Sequence, residues 1–233
     1  MAFDQNGSTW QNLYILMNSN WVGALSINEE QTTAINALLI ILCVPLFTNG
    51  IYPLIENRFG TFKLIDRMIA GMILAGISFI IMAGYQQQID SMPSTLYKYT
   101  GEGDNRVLKC VGGKECMNGS WILIPYLVLT IAEVMFSISG LNLTYQEVGK
   151  TMKASSASLW LLMVAIGNLL TSGFAGIFKN TSPRDFFYIN AGVIFAAAIV
   201  YMFIRQNYVY RADREVSRSR EATSTPEQPP KSE

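Results

Sequence analysis

The chain has 233 residues; half of them are hydrophobic, 15% are charged and none is histidine. Lys plus Arg and Asp plus Glu balance at 17 each, so no net charge recruits nucleic acid or an acidic surface. The apolar residues fall in long blocks rather than in alternation with polar ones, which excludes an ordinary soluble domain and gives an all-α integral membrane protein with the lipid bilayer as solvent.

In chain order, residues 1–17 read as the second half of a first transmembrane helix that has lost its start. Asp4, Ser8 and Gln11 share one face of it, and Asp4 is the candidate proton or gate residue. No basic region followed by an apolar stretch precedes this segment, so it does not read as a signal peptide. Five spans long enough for a hydrocarbon core of roughly 30 Å follow, at 33–55, 68–88, 121–144, 156–178 and 186–204, without a Lys or Arg in any of them. Pro45 in the first frees a backbone carbonyl and offers a hinge, with packing as its bland alternative. Gly71, Ala75, Gly76 and Gly84 in the second let helices approach closely.

Basic residues alternate between connections. Those at 56–67 and 145–155 and the tail after Arg205 carry Lys and Arg and are expected to be cytoplasmic. The 89–120 link is then extracytoplasmic, although it holds Lys98, Arg106, Lys109 and Lys114. Within it Cys110 and Cys116 flank a tight Gly-containing turn and are expected to form a disulfide, and Asn118-Gly119-Ser120 is an N-glycosylation acceptor. Cys43 lies in a span and reads as a small buried hydrophobe. Residues 211–233 mix charge with Ser, Thr and Pro and read as a disordered cytoplasmic tail, leaving 33–210 for the five helices and the 89–120 loop.

Glu133 is the ionisable group at the centre of the Trp121–Leu143 stretch. A carboxylate at that depth costs about 2.5–3.5 kcal/mol even on lenient insertion scales, which marks a substrate, ion or proton site. Thr130, Ser137, Gly140 and Thr144 continue its face as a polar stripe suited to a cavity. The alternative is a structural carboxyl kept neutral by burial and bonded to Ser137 or to a neighbouring helix. Asn36 and Trp160 are weaker candidates, because an amide or an indole also serves simply to tie helices together. The sequence holds no metal-ligand cluster, phosphate loop or nucleophile triad, so it gives no reading as an enzyme and calls for no cofactor.

Several segments together resemble the proton-coupled oligopeptide transporters. Asp4-Gln5-Asn6-Gly7-Ser8-Thr9-Trp10 is similar to the start of their helix seven. Asn36-Ala37-Leu38-Leu39-Ile40, Val44-Pro45-Leu46-Phe47 and Tyr52-Pro53-Leu54-Ile55 resemble helix eight, and Arg67-Met68 to Gly71-Met72 helix nine. Glu133-Val134-Met135-Phe136-Ser137 with Gly140-Leu141 resembles helix ten, and Trp160-Leu161-Leu162 with Ala165, Gly167 and Asn168 resembles helix eleven. The resemblance implies the C-terminal six-helix half of a major facilitator fold, built of two inverted three-helix units with the first helix truncated. It implies a di- or tripeptide substrate whose amino terminus meets Glu133, with Asn36 beside it, Trp160 shaping a side-chain pocket, Ser137 in the same site, and H+ as the coupling ion.

Departures from the pattern carry information too. Asn6 replaces a Gln, and Thr48 stands where animal members have an acidic gate residue. The basic and tyrosine residues of the N-terminal half and its ExxER-type coupling motif are not in the chain. The expectation is a fragment that does not transport alone, or a partner to a missing half, in the plasma membrane rather than an endolysosomal one. A non-transporting scaffold and a channel subunit with a ring of Glu133 carboxylates are the alternatives from other classes.

Overall fold

Five helical stretches long and apolar enough to cross a membrane run over Ala34–Arg58, Leu64–Asp90, Gly119–Glu147, Lys153–Phe174 and Pro183–Asn207. They are seen in a computed structural model that describes residues 9–19, 27–60, 62–100, 107–148, 152–178 and 181–209, together with Arg214, Val216 and Ser217. Asp4, the first half of the 1–17 segment and nearly all of the 211–233 tail lie outside the described residues.

The described part of the first segment is a short helix, α1 (Thr9–Ile15), followed by a turn to Asn18, which pairs with Asn118. The second helix is interrupted. After α2 (Glu29–Leu46) the backbone widens into a π-helical segment, Phe47–Ile51, before α3 (Tyr52–Phe59). The interruption sits directly after Pro45, which lacks the N–H that an α-helical turn needs. α4 (Leu64–Asp90) is unbroken. The fourth stretch repeats the pattern of the second: α5 (Leu123–Glu133), a π segment at Val134–Ile138, then α6 (Ser139–Glu147). α7 (Lys153–Ile177) and α8 (Pro183–Asn207) complete the helices, with Ser182 capping α8 by accepting from the Asp185 N–H.

α4 is the hub and packs against α8, α5 and α6. Trp10, Leu13 and Tyr14 of α1 are buried against Phe79 and Met82 of α4, Tyr126 and Leu129 of α5 and Phe187 of α8. The Trp10 ring meets Tyr126 and Phe79 edge-on, at 5.1 and 5.6 Å between centroids. A second cluster gathers the two π segments: Phe47 and Ile51 pack with Val134, Met135 and Ile138. Gly71 permits the close crossing of α4 on the fourth stretch, since an added Cβ would lie 2.8 Å from the Ala132 carbonyl and 3.0 Å from the Phe136 nitrogen.

At one end of the bundle Arg67 pairs with Glu56 and lies 4.1 Å above the Tyr52 ring, Asp66 pairs with Arg205, and Glu147 pairs with Arg214 at 2.9 Å. In each pair one partner is solvent-exposed and the other mostly covered, so screening by water holds each contribution to about 1 kcal/mol. The opposite end carries the 89–120 link. Sequence reading takes this link as a loop, but it contains an antiparallel hairpin, β1 (Tyr97–Thr100) with β2 (Val107–Cys110), whose Tyr, Thr, Val and Leu residues suit a pleated ribbon. Cys110 and Cys116 are joined by a disulfide at its foot.

A carboxylate-bearing cavity between four helices

Glu133 ends α5 at the point where the π segment begins, so the wider turn carries its face through Phe136 and Ser137. These three residues form one wall of a cavity of about 380 Å³. Met72 and Ala75 of α4 form another wall, Trp160, Val164 and Gly167 of α7 a third, and Asn190 and Tyr201 of α8 a fourth. A volume of that size falls within the range of small-molecule sites. Phe136 holds the aromatic part together, with its ring centroid 6.1 Å from Trp160 and 6.4 Å from Tyr201. Gly140 lets the Trp160 ring lie against the fourth stretch, because any Cβ at that position would run into the indole.

The cavity brings together Glu133, Ser137 and Trp160 of the residues singled out from sequence. Ser137 makes no hydrogen bond among the described residues, so it is not the partner that would hold Glu133 as a purely structural carboxyl. Asn36 is placed differently: it lies on α2 and does not line the cavity. Thr130 Oγ1 donates to Asn36 Oδ1 at 2.6 Å and is 2.8 Å from the Tyr126 carbonyl, while one turn earlier Tyr126 Oη donates to Thr32 Oγ1 at 3.5 Å. Both rungs join residues the same distance apart in sequence, because α2 and α5 run parallel. Asn36 is thus tied to Thr130, three residues before Glu133 on the same helix.

Asn190 and Tyr201 were missed in the sequence. The signal was available, since Asn190, Ile194, Ala197 and Tyr201 recur at helical spacing and all four line the cavity. At the hairpin end, Asn118 Oδ1 accepts from the Ser120 N–H at 2.9 Å and the Ser120 hydroxyl at 2.7 Å, within the glycosylation acceptor itself.

Membrane-length helices packed on α4 around an internal, carboxylate-bearing cavity define a multi-pass all-α membrane protein of the major facilitator type. The sequence profile of the POT family (PTR2) matches residues 1–186, and the chain belongs to that family. It is 40% identical to solute carrier family 15 member 1 of Homo sapiens over 88 residues, 38% of this chain and 12% of that protein. It is 25% identical to peptide transporter imqD of Aspergillus flavus over 195 residues, 81% of this chain and 46% of that one. Among solved structures it matches the POT family transporter PepTSo with a TM-score of 0.69 at 25% identity, over 89% of this chain and 38% of that chain. A peptide transporter solved in complex with alafosfalin matches with a TM-score of 0.61 at 20% identity, over 88% and 37% of the two chains. The chain therefore spans less than half the length of these proteins, which are transporters and not enzymes.

Proposed function

We propose that this chain is the C-terminal part of a proton-coupled symporter of di- and tripeptides, with Glu133 receiving the peptide amino terminus. The observation that carries the reading is the Glu133 carboxylate in a cavity walled mostly by apolar and aromatic side chains. An ammonium leaving water for such surroundings needs an anionic partner, and charge-assisted hydrogen bonds are the strong ones. Trp160 supplies an aromatic face for a peptide side chain or for the cation. Membership of the POT family and the names of its relatives support peptides as the substrate class. The coupling proton would move through carboxylates without any other cofactor, Asp4 being a further candidate.

Alternating access needs one half of a transporter to rock against the other around a central site. The complementary half, whether earlier in the same polypeptide or on a partner chain, would hold the peptide carboxylate. The reading places the protein in the plasma membrane with the tail cytoplasmic, the 89–120 link outside and a glycan on Asn118.

Peptide uptake by the full-length native protein in proteoliposomes, driven by an inward proton gradient, tests it. Accumulation of a labelled dipeptide that rises with the gradient and falls by a hundredfold or more in Glu133→Gln is expected, since removing one partner of a buried charge pair costs about 3–5 kcal/mol. Unchanged accumulation in that variant would remove Glu133 from the site.

A further inference from the structure

Glu147 closes α6, and the segment after α8 returns to it: Arg214 Nη2 donates to Glu147 Oε2 at 2.9 Å. Arg214, Val216 and Ser217 lie on helical backbone and are exposed. Arg214 thus ties the segment that follows α8 to the end of the stretch that carries Glu133. The tie is weak, because the arginine side chain is 58% exposed and water screens the pair. Ser217 follows Arg214 by three residues, which puts both on one face of a helical turn, roughly 5–6 Å apart at Cβ. The surrounding sequence, Arg211-Ala212-Asp213-Arg214-Glu215-Val216-Ser217-Arg218-Ser219-Arg220, sets that hydroxyl among four arginines.

We propose that Ser217 is a phosphorylation site for a basophilic Ser/Thr kinase, and that its phosphate releases Arg214 from Glu147. Kinases choose substrates by charge pattern, and Arg214, three residues before the acceptor, is the residue such an enzyme reads. The co-reactant is a nucleoside triphosphate. The Ser217 Oγ–P bond forms as the bond from the γ-phosphorus to its bridging oxygen breaks; the hydroxyl proton passes to the kinase's base and the diphosphate leaves. The product carries a charge of about −1.5 to −2 and three strong acceptor oxygens. It meets the Arg214 guanidinium from the next turn of the same segment, whereas Glu147 must hold it from another helix. Arg214 then faces a carboxylate and a phosphate together, a surplus of negative charge that repels Glu147. The same arginine therefore serves as recognition residue before the transfer and as the displaced partner after it. The cytoplasmic tail of the proposed function gives a kinase access to Ser217 in the cell; the transfer itself does not depend on the Glu133 site.

The test treats the full-length protein in detergent with ATP and a purified kinase that selects arginine three residues before its acceptor. A nitroxide on Val216→Cys reports tail mobility, and it labels selectively because Cys43 is buried and Cys110 and Cys116 are joined. Mass spectrometry is expected to place the phosphate on Ser217, with Arg214→Ala lowering its incorporation by about tenfold. Phosphorylation is expected to raise the mobile fraction of the label by about twofold or more. Glu147→Gln is expected to show that mobility before any phosphate is added and to gain nothing further from it, while Ser217→Ala stays docked after kinase treatment. Phosphate on Ser219 or Thr225 but not on Ser217 overturns the proposal. So does full phosphorylation of Ser217 with unchanged mobility, or a kinase-driven rise in mobility that persists in Ser217→Ala.

Discussion

Thr130 shows how much a single side chain settles. It is fully buried, and its hydroxyl reaches the Asn36 carbonyl at 2.6 Å, so it satisfies the acceptor of an amide that is itself only 7% exposed. Thr130→Val keeps the shape and removes the donor, leaving a buried carbonyl oxygen without its partner. The expected cost is about 1–3 kcal/mol of stability, read as a lower thermal midpoint of the detergent-solubilised protein, with Thr130→Ser restoring most of it. An unchanged midpoint in Thr130→Val would mean that Asn36 finds another donor. The sequence showed Glu133 well, because a lone carboxylate in an apolar span is expensive wherever the helix points. It showed Asn36 less well: an asparagine in a span is cheap if bonded, and what bonds it lies 94 residues away on another helix. Tyr201 and Asn190 read as ordinary residues of a lipid-facing helix until α8 is seen to wall the cavity.

At the scale of elements, helix existence was legible because 20-residue apolar blocks admit almost no other structure in a bilayer. The two π segments were not legible. Nothing in Val134–Ile138 signals a wider turn, and the segment exists where its residues interlock with Phe47 and Ile51 of the other. The hairpin in the 89–120 link was also missed, since four-residue strands are too short for alternation to stand out. Glycines divide by what surrounds them. On α4, Gly71 faces backbone atoms that cannot swing aside, whereas a Cβ at Gly84 meets nothing within 4 Å. Gly71→Ala is therefore expected to lose about 1–3 kcal/mol by forcing α4 from the fourth stretch. Gly84→Ala is expected to hold or gain up to about 1 kcal/mol through helix propensity. Thermal unfolding of the two variants side by side checks both, and equal midpoints would show that the crossing at Gly71 accommodates a methyl group.

At the scale of the molecule, the apolar surface is distributed unevenly. α4 is more than half buried, while Leu161, Leu162, Leu169 and Leu170 of α7 and Leu38, Ile41, Leu42 and Leu46 of α2 are more than half exposed. Lipid covers such surface as readily as protein does, so the exposure alone does not distinguish a complete protein from part of one. The comparison of lengths adds a second consideration, because 89% of the chain accounts for 38% of the matched PepTSo chain. Transport by rocking around a central site needs two halves, and the Glu133 cavity provides an anion but, among the described residues that line it, no base for a peptide carboxylate. Under the proposed function the missing base belongs to the complementary half. An antibody to the 211–233 tail, used on native membranes alongside full-length sequencing of the message, is expected to reveal a product roughly twice the 25.9 kDa of this chain or more. A product of 25.9 kDa would instead require a separate partner half. Uptake would then appear only when that partner is co-reconstituted, and a lone chain that accumulates dipeptide would refute the two-half argument altogether.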